Sequence, residues 1–309
     1  MAVTVLIPTY NGAQFLEETL ASVAAQTYRN FNVVVSDDGS EDATITIVKN
    51  FQARVPFPVY VLRHDRLGLV ENWNYGIQFI RQHLPQTQYL QLLCQDDLLH
   101  PDSLAAKVKF AQVHPQVGMV FSRRSLIGEV TPQLNWLRDL TSYWSQIASL
   151  RSGLEYFCDP HFLHPPDNKI GEPSNVLISM TVFVRLGLFD PHFRQYCDWV
   201  MWLRIMANYA VGFIDGELSS FRIHPQQTTW ENEKNDRAWA EIYAVWCKVL
   251  SHPHYQAVPT AVKNRLFRHT VGELGRECFR IIKHGRPHRY PAVLYWLAQS
   301  VYARFISPP

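Results

Sequence analysis

Within residues 1–122, short apolar runs alternate with stretches whose apolar residues recur at helical spacing, and few folds accept that rhythm. "VTVLIP" (3–8), "FNVVVS" (31–36), "VYVLRH" (59–64), "YLQLLC" (89–94) and "GMVFS" (118–122) read as strands. Between them, "GAQFLEETLASVAAQ" repeats Leu16, Leu20 and Val23 on one helical face, and "SEDATITIVKNFQ" offers Ser40 as an N-cap. Residues 68–83 are amphipathic, and 101–113 opens with Pro101, a favoured first-turn residue. Strands that are apolar on both faces must be covered on both faces. The pattern predicts an α/β fold: a mostly parallel central sheet flanked by helices, Rossmann-like in layout.

In such sheets, ligands bind at the carboxyl ends of the strands. Here those ends are "IPTYNG", "SDDGS", "RHDRLG" and "LCQDDLL", so four polar, turn-forming clusters converge on one edge. Turn chemistry accounts for Asn, Asp and Gly at any one of them. It does not account for adjacent aspartates at two. No G-x-G-x-x-G follows the first strand, which disfavours a dinucleotide site, and no G-x-x-x-x-G-K-[ST] occurs, which excludes a P-loop. An acidic edge repels a bare diphosphate, and a divalent cation between the two removes the conflict. Mg²⁺ or Mn²⁺ is typically held by one or two carboxylates plus substrate phosphates. Asp96 and Asp97 are therefore read as a pair that faces a metal and a nucleotide.

The chain has 309 residues, 47% of them apolar and 18% charged, enough for a sizeable core and too few charges for a disordered chain. The net charge of +2 is unevenly spread. Residues 1–236 hold 18 Lys/Arg against 24 Asp/Glu, a net of −6, and residues 237–309 hold 11 against 3, a net of +8. Five cysteines, none in a C-x-x-C pair, argue against a disulfide framework and for a reducing cytosol. The N-terminus lacks the features of a signal peptide, and no apolar run reaches the ~18 residues that span a bilayer. A soluble chain is expected, and the basic, aromatic tail (263–305) is read as a helical unit packing its apolar face onto the catalytic domain, with contact to an anionic membrane surface as the alternative. His161 and His164 have His-x-x-His spacing, but Pro165 and Pro166 make that stretch loop-like, and it is read as non-ligand.

The ordered set of motifs resembles the family-2 glycosyltransferases, which have the nucleotide-diphospho-sugar (GT-A) fold. The likeness runs through "VLIPTYNGAQFLEETLASVAAQTYRNFNVVVSDDGSEDAT", "GLVENWNYGI" and "LLCQDDLLHPDSL". It resumes at "GEPSNVLI", "LGLFD", "DWVMWLRI" and "FRIHPQQTT". It implies a catalytic domain over 1–234, with a poorly matching insert near 123–168, and a basic helical C-terminal extension over 235–309. By this resemblance, Pro8, Thr9, Tyr10 and Asp38 hold the base and ribose, with Asn74 nearby. Asp96 faces the ribose side, Asp97 ligates the metal, and His224 is a second metal ligand. Asp198, at the start of an amphipathic helix with Trp202, Ile205 and Met206 on its apolar face, is the general base. Glu172 and Trp199 lie on the acceptor side. Two positions depart from the family's pattern. Gln95 stands where an aspartate is often found, and Trp73 replaces the arginine of an Arg-Asn pair.

The implied activity is metal-dependent, inverting transfer of a sugar from a nucleotide-diphosphate donor, by default a UDP-sugar, to an acceptor hydroxyl. The implied setting is cell-surface polysaccharide or glycolipid synthesis, in the cytoplasm or at the inner face of the plasma membrane. The partners are the donor, a saccharide or lipid-linked acceptor, and Mn²⁺ or Mg²⁺. Nucleic acid is not expected, because no recognised motif accompanies the basic tail. Two alternatives stay open. A sugar nucleotidyltransferase would need a Gly-rich, Arg-containing loop after the first strand. A non-catalytic sugar-nucleotide binder or scaffold would be expected to lose Asp97 or Asp198.

Overall fold

The computed structural model describes residues 2–130, 148–159, 168–227, 237–284 and 290–305. The strands are β1 (Ala2–Thr9), β2 (Phe31–Asp37), β3 (Val59–Arg63), β4 (Thr87–Leu92), β5 (Leu98–Leu99), β6 (Val117–Gly128), β7 (Leu150–Ser152), β8 (Val176–Ser179) and β9 (Ala210–Ile223). The helices are α1 (Leu16–Ala24), α2 (Thr44–Gln52), α3 (Leu69–His83), α4 (Ser103–Val113), α5 (Gly153–Cys158), α6 (Met180–Leu186), α7 (Cys197–Met206), α8 (Arg237–Ser251), α9 (Thr260–His284) and α10 (Tyr290–Phe305).

One mixed sheet organises the described residues, in the order β3-β2-β1-β4-β8-β6-β9-β5, with β7 beside β9. β3, β2, β1 and β4 are parallel neighbours, as the alternation predicts. β8 then enters antiparallel between β4 and β6, and β6 runs parallel to β9. The two-residue period of β1 shows in its burial. Val3, Val5 and Ile7 pack with Leu16, Leu20, Val48 and Leu104 on one face. Leu6 packs with Ile77, Phe183 and Trp202 on the other.

Two local expectations change. Ser40 is not the cap of α2, which starts at Thr44; its hydroxyl donates to Asp37 Oδ1 at 2.5 Å and its backbone N–H to Asp37 Oδ2. Pro101 lies in the turn ahead of α4, which starts at Ser103. β6 continues to Gly128, into the stretch read as an insert, and β7 and α5 also lie within that stretch. His161, His164 and the 234/235 boundary fall outside the described residues.

The C-terminal helices pack on the domain. Val245, Trp246, Val249 and Leu250 of α8 join the same core as Trp199 and Trp202 of α7. The Trp246 ring meets Trp199 edge-on at 5.2 Å between centroids. Arg265 of α9 donates to the Phe157 carbonyl at 2.8 Å. No helix among the described residues is long and apolar enough to cross a membrane.

Candidate active site

The end of β1 and the end of β4 are tied together by one side chain. The Gln95 amide accepts from Tyr10 N–H at 2.9 Å and donates to the Tyr10 carbonyl at 3.1 Å, as a neighbouring strand would. Gln95 therefore closes the edge where the family often places an acid. Its approach leaves no room at Gly12, where a Cβ would sit 2.2 Å from Gln95 Oε1. Asn11 has φ of 45°, a conformation asparagine tolerates, and its side chain accepts from Glu41 N–H. Pro8 and Thr9 are buried, with the Thr9 hydroxyl donating to Asp37. Tyr10 is the exposed residue of the group, at 40%, and Arg66 lies over its ring at 3.1 Å.

Asp38 reaches the same edge and organises the next loop. Its carboxylate accepts from Leu67 N–H at 2.5 Å and Gly68 N–H at 2.9 Å, with Arg66 at 3.4 Å. Asn74 differs from expectation. It is buried, and both ends of its amide engage the Phe189 backbone at 2.9 and 3.0 Å. It pins the 187–196 loop through Phe189.

The two aspartates of "QDD" divide their roles differently from expectation. Asp97 is 1% exposed. Its Oδ2 accepts from Ser174 Oγ at 2.6 Å and its Oδ1 from Arg222 N–H at 2.9 Å. Burial, with the charges of Asp96 and Glu172, pushes its carboxyl well above the usual range. Both oxygens of the expected metal ligand are thus engaged in the interior. Asp96 faces outward and meets His224, Nε2 to Oδ2 at 2.9 Å. That contact raises the His224 pKa. Asp96, Asp97 and Cys94 offer ligand atoms within 4.8 Å of one another. Carboxylate oxygens suit Mn²⁺ or Mg²⁺, so the Asp96 carboxylate, with the His224 imidazole beside it, fits such an ion.

Arg222 ties this corner to α1. Its Nε donates to the Asp96 carbonyl at 2.8 Å and its Nη2 pairs with Glu18 at 2.7 Å. The Phe15 ring lies 4.7 Å from the Arg222 guanidinium and 4.8 Å from the His224 ring.

The segment 168–175 joins the Asp96–Asp97 corner to Asp198. At one end, Ser174 holds Asp97 and accepts from Cys94 N–H. At the other, Asn168 Nδ2 donates to Asp198 Oδ2 at 3.0 Å. Asn175 locks the middle, donating to the Ser122 and Ile170 carbonyls and accepting from the Ser122 and Ser219 hydroxyls. Gly171, at φ 97°, lets its carbonyl take the Trp202 indole N–H at 3.0 Å. Glu172 pairs with Arg124 at 2.8 Å. Burial raises its carboxyl, against the pull of Arg124. The Lys107 ammonium is buried without a hydrogen-bond partner, and burial lowers it to about 7.

Asp198 stands in the first turn of α7. Its Oδ1 accepts from Trp199 N–H at 2.6 Å. Burial pushes its pKa up to about 7, with the nearby Glu172 charge adding to the rise. Trp199, expected on the acceptor side, is 1% exposed and packed between Tyr196 and Trp246. It is core, and no face is left for a sugar. Glu172 is likewise engaged by Arg124. The sequence reading missed Ser174, Asn168, Asn175 and Arg222. The only signal was that Ser174 and Asn175 fall in "GEPSNVLI" and Arg222 in "FRIH", two of the quoted motifs.

The chain and its fold have counterparts in known proteins. The chain is 25% identical over 228 residues to an uncharacterised glycosyltransferase of Rickettsia typhi, a match covering 74% of this chain and 65% of that relative. The structure resembles TarS of Staphylococcus aureus (residues 1–349) solved with UDP-GlcNAc. The TM-score is 0.67 and the identity 16%, over 98% of this chain and 81% of that one. It also resembles a mannosyltransferase of Pyrobaculum calidifontis in complex with GDP-Man and Mn²⁺. There the TM-score is 0.56 and the identity 17%, over 97% and 84%. At those identities the likeness establishes a GT-A-type fold. The profile described as Glycosyl transferase family 2 matches residues 4–166, more than half of the chain, so this protein belongs to that family.

Proposed function

We propose that the chain moves a sugar from a nucleotide-diphosphate donor to an acceptor hydroxyl, with inversion at the anomeric carbon and with Mn²⁺ or Mg²⁺ at Asp96 and His224. One observation carries the reading. A single segment, 168–175, joins the buried carboxylate beneath the metal corner to a second carboxylate whose pKa is pushed to about 7. A base poised near neutral pH is what proton removal from a hydroxyl needs. Asp198 accepts the acceptor proton as the acceptor oxygen bonds to the anomeric carbon and the bond to the diphosphate oxygen breaks. A direct displacement of this kind inverts the centre. The divalent ion, when bound, supplies Lewis-acid stabilisation of charge on the leaving diphosphate. Tyr10 and Arg66 offer an exposed aromatic and cationic surface to the nucleotide. A uridine nucleotide is the default donor by family frequency, and the UDP-GlcNAc and GDP-Man complexes of the structural neighbours support the donor class. The nucleotidyltransferase alternative lacks its Gly-rich loop, and Gln95 closes that edge.

The test is a hydrolysis screen over UDP- and GDP-sugars with and without Mn²⁺, repeated on Asp96→Ala. Metal-dependent release of nucleoside diphosphate in the parent, lost in the variant, is expected. Equal turnover in chelator, or hydrolysis of no donor, sinks the reading.

The finer setting, a lipid-linked acceptor met at an anionic membrane, is supported by α10. Its outward stripe of Leu294, Tyr295, Val301 and Tyr302 is exposed and uncharged. The basic C-terminal segment complements anionic lipid. Co-sedimentation with phosphatidylglycerol vesicles should be salt-sensitive and weakened by Tyr295→Ser with Tyr302→Ser. Absence of binding at low salt removes the membrane from the scheme and leaves the transferase reading intact.

A further inference from the structure

The loop 187–196 connects α6 to α7, and its last residues set where α7 begins. Three successive backbone N–H groups there, at Arg194, Gln195 and Tyr196, point at one carboxylate. Arg194 N–H donates to Glu241 Oε1 at 2.9 Å and Oε2 at 3.0 Å, Gln195 N–H to Oε2 at 2.8 Å, and Tyr196 N–H to Oε2 at 3.1 Å. Consecutive N–H groups of this kind form an anion nest, and charge-assisted bonds to it are the strong ones. Glu241 is 8% exposed and lies on α8, outside the segment that carries the family's motifs.

Glu241 does not act alone. One turn further along α8, Trp246 presses its edge on Trp199, the residue next to Asp198. Two residues on, Lys248 pairs with Asp190 at the other end of the loop. Positions 241, 245, 248 and 249 fall on one helical face, and Val245 and Val249 are buried there. Asn74 grips the loop from the opposite side through Phe189. The loop is therefore clamped at Phe189, Asp190 and 194–196, and the last clamp is two residues from Asp198.

We propose that Glu241 is a positioning residue for the transfer reaction: by filling the nest at 194–196 it fixes the entry of α7 and so the place of Asp198 relative to the acceptor. The C-terminal extension is on this account a working part of the active site. The proposal rests on the reading of Asp198 as the base and goes beyond it by naming what holds that base in register. Misplacement of a reacting group by ~1 Å costs on the order of 10²-fold in rate without changing how the donor binds.

The experiment uses the full chain in Mn²⁺, with UDP-GlcNAc and GDP-Man hydrolysis as the rate probes and UDP and GDP calorimetry as the affinity probes. Glu241→Gln keeps the side-chain volume and loses the charge. We expect kcat to fall at least about tenfold, with donor KM and nucleoside-diphosphate affinity within about twofold of the parent. The acid limb of the kcat profile should also move, because the surroundings of Asp198 change. A bond that merely stabilises the fold predicts a lowered Tm with kcat and the acid limb within twofold, and that result overturns the proposal. Should Glu241→Gln fail to fold, Lys248→Met releases the same loop at Asp190, and the same two outcomes apply. Asp198→Asn separates the two levels. If Asp198→Asn turns over at the parental rate, the base reading fails and the positioning role falls with it. If Asp198→Asn is inactive while Glu241→Gln is normal, the positioning role alone fails.

Discussion

A carboxyl whose pKa is about 7 is half ionised at neutral pH, and at Asp198 burial is the main reason, opposed by the Trp199 N–H. The consequence for rate and the consequence for stability have opposite signs. In the proposed mechanism the ionised form is the base, so the rate should rise with pH through about 7. The folded protein, however, holds a proton there that the unfolded chain releases near pH 4. Folding stability from this group is thus fully present below about 4 and is lost as pH rises through about 7. Asp198→Asn mimics the protonated form. It should lower transfer by ~10²–10⁴, raise Tm at pH 8, and leave Tm at pH 5 close to the parent. A variant with near-parental turnover, or one that loses Tm at pH 8, contradicts the assignment. The roles of Asp96 and Asp97 could not be read from "QDD". Both follow the same strand, and which one turns inward is decided by Ser174 and Arg222, about 80 and 125 residues away.

At the scale of elements, the "YNG" turn shows how a loop is held by something other than its own turn type. At Gly12 the end of the Gln95 side chain occupies the space where a Cβ would go. Gly12→Ala should push Gln95 off Tyr10 and release the β1 end from the β4 end. The loss of two partly exposed hydrogen bonds costs about 1–2 kcal/mol of stability. Nucleoside-diphosphate affinity should weaken as well, because Tyr10 is no longer fixed. Unchanged affinity by calorimetry would show that the Tyr10 surface lies outside the nucleotide site. Gln95→Ala, which vacates the space, should restore tolerance of Ala at 12. The parallel half of the sheet was readable because short apolar runs alternate with helical stretches from β1 through α4. β8 and the length of β9 were not. β8 has four residues, and its antiparallel place between β4 and β6 depends on partners about 55 to 90 residues away. Trp199 was misjudged for a related reason. A tryptophan beside the proposed base looks like a sugar platform until α8, from beyond the resemblance, covers it.

For the whole molecule, the site concentrates buried groups whose proton affinities differ between folded and unfolded chains, and their signs combine into one curve. Asp97, Glu172 and Asp198 are all raised, chiefly by burial. Each contributes stability that is present below about pH 4 and lost as pH rises through its folded value. His224 is raised by Asp96 and acts in the same direction above about 6.5. Lys107 is lowered to about 7 by burial, so its contribution is present above about 10.4 and lost as pH falls toward 7. His252 and His254 are lowered by burial and oppose the carboxylates below about 6.5, but both are partly exposed and count for less. Asp190, lowered to about 2, matters only in strong acid. Asp198 erodes stability up to about 7 and Lys107 restores it above. The protein without metal or nucleotide should therefore show a Tm minimum near pH 7 instead of a plateau. Mn²⁺ with UDP should fill that minimum. Ligands that bind only the folded state stabilise by mass action, and a cation binds best where the carboxylates are ionised. The gain in Tm from Mn²⁺ plus UDP should accordingly be larger at pH 7.5 than at pH 5.5, and Mn²⁺ alone should deliver a smaller part of it. Scanning calorimetry from pH 5 to 9 decides the matter. A Tm that climbs steadily from pH 5 to 7.5 without ligand would mean that these carboxyls are not held protonated by the fold, and the base assigned to Asp198 would then have an ordinary pKa.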